Sequence, residues 1–92
     1  MIERHVIVRT YSAGVHFGLL VEQRDRHVVL AGARRIWSWR GRNTLHEIAL
    51  HGVGDGSRVS EAVARIELTE AIEIIDCAPE AVLVLSGPGS WA

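Results

Sequence analysis

The 92-residue chain is long enough for one domain, and folding a chain of this size removes only about 60–65% of its unfolded surface from water. Apolar residues make up 48% and charged residues 23%, a composition that excludes intrinsic disorder, and no apolar run approaches the roughly 18 residues of a membrane span. A formal net charge of −1 excludes a global attraction to nucleic acid or to a membrane surface.

Met1 is followed at once by Glu3, Arg4 and His5, which is not a secretory signal, so the cytoplasm is the expected compartment. Cys77 is the only cysteine, which leaves no internal disulfide and fits a reducing environment. All ten basic residues are Arg and none is Lys. A high-GC genome accounts for this, and so does a need for bidentate recognition of phosphate or carboxylate; the two reasons are compatible.

The residues 5–11 are rich in β-formers and predict a first strand, with Val6 and Val8 on one face and Ile7, Arg9 and Tyr11 on the other. Ser12-Ala13-Gly14 signals a turn. From Val15 the chain alternates, with Val15, Phe17, Leu19 and Val21 on one side and His16, Gly18, Leu20 and Glu22 on the other. Gly18 predicts a bend or the close approach of another backbone. Arg24-Asp25-Arg26 is a hairpin connection to a third strand, which starts at His27.

The stretch Val28 to Trp39 organises the rest. It holds a β-branched run, a small-residue break, then Arg34, Arg35, Trp37 and Trp39. Gly32 predicts a bulge or sharp bend, and simple alternation beyond it puts Arg35, Trp37 and Trp39 on one face. Residues 40–43 form a loop. Thr44 with Glu47 has capping-box spacing, and Leu45, Ile48 and Ala49 follow at helical intervals, so a short helix is predicted over 45–51, ended by Gly52.

Residues 62–75 form a long extended segment in which Glu70 alone interrupts an apolar face. A bulge at Thr69-Glu70 would take it out of the core; the alternative is a buried carboxylate paired with an Arg. Pro79 suits the first turn of a helix, so 79–85 reads as helix, with a strand at 82–85 as the alternative. The fold expected is mainly β with minor α: a small bent sheet, or an SH3/Sm-like barrel, with one or two short helices. One domain spans 1–86, and 87–92 is a tail containing Trp91.

Two resemblances add to this reading. The order of residues 5–36 is similar to the first half of Sm-like and SH3-like barrels, although Gly32 stands where those barrels carry an acidic residue. Four segments, at 9–18, 33–39, 44–49 and 68–75, resemble a family of short uncharacterised proteins encoded mainly by tailed bacteriophages and prophages. Ser38 stands where that family usually has an aromatic, Ala31-Gly32 where it has Lys-Asp, and Asp76 where it has Pro. The resemblance implies a phage origin and a single domain, and it supplies no activity.

No catalytic or metal-binding constellation is visible. His46 and His51 splay across the helix, no Cys-x-x-Cys or His-Glu-x-x-His spacing occurs, and Cys77 reads as a small buried hydrophobe. Arg34, Arg35, Trp37, Trp39 and Arg40 carry the functional expectation, because Arg beside Trp can stack on a base and hold a phosphate. Tyr11 and Ser12 could add hydroxyl and backbone groups, or form a plain turn. The competing reading has the tryptophans filling a core or interface and the arginines pairing with Glu67 or Glu73.

The function expected is therefore non-enzymatic binding of a nucleotide-like anion by a phage homo-oligomer, without cofactor, metal or membrane. The ligand is a short RNA, or a cyclic-nucleotide-type signal of host immunity that the protein sequesters. The alternative is an interaction module anchored by Trp37, Trp39 and Trp91.

Overall fold

The computed structural model describes residues 4–39, 44–54 and 57–87. In chain order the elements are β1 (His5–Thr10), β2 (Val15–Arg24), β3 (His27–Ser38), α1 (Leu45–His51), β4 (Arg58–Val59), β5 (Val63–Leu68), β6 (Ala71–Asp76) and α2 (Pro79–Leu85). The strands make one bent antiparallel sheet in the order β4-β3-β2-β1-β6, with β5 also against β3. The long β3 is the spine. One edge holds β2; the other holds β5 along residues 28–33 and β4 along 36–38.

Local chemistry explains most of these elements. At the β1–β2 turn the Thr10 backbone N–H and hydroxyl both donate to the Gly14 carbonyl, at 3.0 and 2.8 Å, while Thr10 Oγ1 accepts from the Ala13 N–H. Gly14 takes φ +85°, a conformation open to glycine. The β2–β3 hairpin turns at Asp25, whose φ of 53° is one that Asp tolerates. Gly18 sits where the sheet closes up: a side chain there would meet Leu30 Cβ at 3.1 Å and the Ala31 carbonyl at 3.2 Å.

The predicted helix over 45–51 is present, with Thr44 Oγ1 accepting from the Glu47 N–H at 3.3 Å and Gly52 closing it at φ +79°. Residues 79–85 are helical, with Pro79 opening the first turn. The two helices meet where the Ala78 N–H donates to the Ala49 carbonyl at 2.8 Å.

Apolar residues pack into two clusters, one on each side of the sheet. Alternation along β1 sends Ile7 to one and Val6 and Val8 to the other, and all three are fully buried. The first cluster joins Ile7, Phe17 and Ile36 to Ile48, Ala49, Ala81 and Leu85 of the helices. The second joins Val6 and Val8 to Val28, Leu30 and Leu68. Each fully buried aliphatic side chain contributes roughly 1.5–3 kcal/mol.

The fold departs from the sequence pattern in three places. Residues 62–75 are two strands, not one, because β5 lies along β3 and β6 along β1, and β2 stands between those partners. Glu70, at the break, is exposed. The sheet bends but does not close into a barrel, since β5 and β6 form no ladder with each other among the described residues. The link between them bonds elsewhere: the Ala71 N–H donates to the Arg26 carbonyl, and the Glu70 carbonyl accepts from the Tyr11 N–H. Finally, register shifts after Phe17 and after Leu20 break the alternation of β2 and leave Val21 exposed, while His16, ahead of both shifts, is buried.

Candidate functional site

Two bulges in β3 decide where the Arg and Trp side chains go. At the first, the step from Ala31 to Arg34 opposes only the step from Leu19 to Phe17, and Gly32 takes φ +55°. At the second, Ile36 and Ser38 oppose the adjacent residues Val59 and Arg58, which makes Trp37 the extra residue. The expected single face of Arg35, Trp37 and Trp39 is thereby split. Trp39 packs against the helix-side cluster. Trp37 is 54% exposed, with the Arg58 guanidinium 5.5 Å from its ring centroid.

Arg34 Nη1 donates to the Gly87 carbonyl at 2.7 Å, tying β3 to the chain just beyond α2. A cation is favourable at a helix C-terminus. Both Arg34 and Arg35 line a cavity of about 260 Å³, together with His16, Ser60, Glu61, Val63 and Ile66. Neither Arg34 nor Arg35 pairs with Glu67, which instead holds Arg65 at 2.7 Å and His27 at 2.9 Å. Arg40 lies outside the described residues.

Tyr11 is 80% exposed, and the Ser12 hydroxyl donates to the Glu70 carboxylate. An acidic group already bound to that hydroxyl makes this turn a poor seat for an anion.

His16 went unnoticed in the sequence because simple alternation placed it on the solvent side. Its Nε2 donates to the Ala13 carbonyl at 2.9 Å, which fixes the tautomer, since a carbonyl only accepts. Burial holds its pKa below the usual value, the Arg35 charge adds to that, and the bond to Ala13 opposes it. His16 is thus a neutral polar wall of the Arg35 cavity.

The opening that combines an indole with a guanidinium is a different one. A cleft of about 410 Å³ is lined by Trp39, Arg9, Val15, Thr44, His46 and Glu73. It joins β1, the end of β3, the start of α1 and β6. Arg9 and Glu73 are directly opposed in the β1–β6 ladder, yet the Arg9 guanidinium makes no hydrogen bond or ion pair among the described residues. The indole therefore borders a space that also receives an uncommitted guanidinium. Its volume lies within the few hundred to a thousand Å³ typical of small-molecule sites. Of the residues expected to bind, Trp39 alone is here; Arg9, His46 and Thr44 were missed because they come from distant segments.

No group of three or more His, Cys, Asp or Glu side chains is arranged to hold a metal among the described residues. No helix there is long and apolar enough to cross a membrane.

Fold and cleft together define a small, mainly β domain with a two-helix cover and an Arg- and Trp-lined opening. The chain belongs to the family described as Domain of unknown function (DUF6948), which it matches over residues 3–85. No curated protein and no solved structure matches it.

Proposed function

We propose that this protein binds a nucleotide-like anion without transforming it, and that the Trp39–Arg9 cleft is the binding site. The observation that carries the reading is the shared opening of an indole and an uncommitted guanidinium. A base stacked on Trp39 would gain roughly 1–3 kcal/mol, and Arg9 with His46 would face its phosphate. Thr44 supplies a hydroxyl at the rim. The second cavity, beside Arg34 and Arg35, has the His16 imidazole but no indole, and Arg34 is already bonded to the Gly87 carbonyl.

The biological form of this reading is a phage protein, homo-oligomeric, that sequesters a cyclic-nucleotide-type immune signal or holds a short RNA. Calorimetric titration with cyclic nucleotides, ADP-ribose derivatives and short oligonucleotides tests it. Trp39→Ala and Arg9→Gln are each expected to weaken binding by about tenfold or more. Flat titrations across the panel with folded protein would end the proposal.

One observation favours a second reading, an interaction module. Trp37 is a large aromatic left half in solvent and steadied by a cation, as anchors at binding surfaces often are.

A further inference from the structure

Strand β5 has one bonded neighbour. Its ladder with β3 runs from Val63 opposite Ala33 to Leu68 opposite Val28, and no strand lies on its other edge among the described residues. Most of the strand is open to solvent: Val63, Ala64, Arg65 and Glu67 are all exposed. An uncovered edge is a template for another strand unless its charges repel one.

The charges on this edge suit a copy of the same strand. Arg65 Nη1 donates to Glu67 Oε2 at 2.7 Å, so the two side chains share a face, and Glu67 Oε1 is 2.9 Å from His27 Nε2. Ile66 and Leu68 pack with the cluster on the opposite face. An antiparallel pair of identical strands has a two-fold axis, and its position decides which residues oppose each other. With the axis at Ile66, Arg65 of each chain faces Glu67 of the other, and Ile66 meets its own copy beside the apolar cluster. With the axis at Arg65 or at Glu67, like charges stand directly opposite, which is unfavourable.

We propose that the chain forms a homodimer by antiparallel pairing of β5 with β5, centred on Ile66, so that the sheet continues across the two-fold axis. This deepens the oligomeric part of the reading above and does not depend on the ligand. The Trp39–Arg9 cleft is lined by none of the β5 residues.

Sedimentation of the full chain tests the proposal. The wild type is expected to be dimeric, and R65E and E67R each to raise the dimer dissociation constant by about tenfold or more. An equimolar mixture of R65E and E67R is expected to form heterodimers, because one chain then presents two acidic positions and the other two basic ones. The Arg65–Glu67 bond within the strand is broken in both variants, so recovery in the mixture reports the contact between chains. Amide exchange within β5 should also slow as wild-type concentration rises. A monomeric wild type, a dimer indifferent to both substitutions, failure of the folded variants to associate with each other, or concentration-independent exchange would each overturn it. Calorimetry on the same samples reads the ligand proposal separately.

Discussion

The Arg58 guanidinium lies over the Trp37 ring at 5.5 Å from its centroid, and two residues further along Trp39 packs against the helix-side core. Neighbouring indoles on one strand therefore have different physical roles. Exposed cation–π pairs are worth about 0.5–1 kcal/mol. Trp37→Ala is expected to lower unfolding free energy by no more than about 1 kcal/mol, whereas Trp39→Ala, which removes a partly buried ring, should lower it by about 2–3 kcal/mol. Urea denaturation of both variants measures this; equal losses would contradict the split.

Gly52 is held by two constraints. Its φ of 79° with ψ of −160° belongs to backbone space that is nearly confined to glycine, and an added Cβ would lie 2.6 Å from Val84 Cβ. Gly52→Ala should cost about 2–4 kcal/mol. Val84 is exposed, so Val84→Ala alone should cost little; it removes the Cγ atoms at 2.7 and 3.2 Å but keeps Cβ, so the double variant should recover only part of the steric share and none of the backbone share. A double-mutant cycle with no coupling energy would refute the contact.

His16 makes stability depend on pH with a definite sign. The unfolded chain protonates this ring near its ordinary pKa of about 6.5. The folded chain protonates it only at lower pH, because burial disfavours the cation and Arg35 adds repulsion. Below about pH 6.5 the unfolded state binds more protons, so stability is full above that point and falls as the solution is acidified toward the folded pKa. Melting temperatures between pH 7.5 and 5 should show this decline, and His16→Gln should flatten it. An unchanged slope in that variant would assign the pH dependence to other groups.

Cys77 sits half-buried after β6, and burial, aided by the neighbouring Asp76 charge, pushes its pKa up to about 12. The thiolate is the reactive form. Native protein at pH 8 should therefore react with a thiol reagent far more slowly than the denatured chain. Rates within a few-fold of each other would show that the thiol is not protected.

Several elements could be read directly from the residues because their causes are local. Thr44 and Glu47 specify the start of α1, Gly52 its end, and Pro79 the start of α2. The apolar run at Val6-Ile7-Val8 specifies a strand buried on both sides. Gly18 and Gly32 announced a close approach and a bulge, and both are present. The indole and guanidinium side chains were recognisable as recognition chemistry, but their directions were not. Alternation holds only until a strand gains a residue, and the second bulge, at Trp37, carries no glycine or proline to signal it.

The sequence by itself determined the mainly β character, α1 with both its ends, the Pro79 start of α2, and the absence of a membrane-length apolar run, since each depends on near neighbours along the chain; it left 82–85 open between helix and strand. Only the tertiary structure decided that Trp39 shares a cleft with Arg9 rather than with Arg35, that residues 62–75 divide between two partners, and that β5 keeps an open edge among the described residues. Those outcomes depend on register and strand order, which are set by how the two faces of the sheet bury their apolar side chains at once.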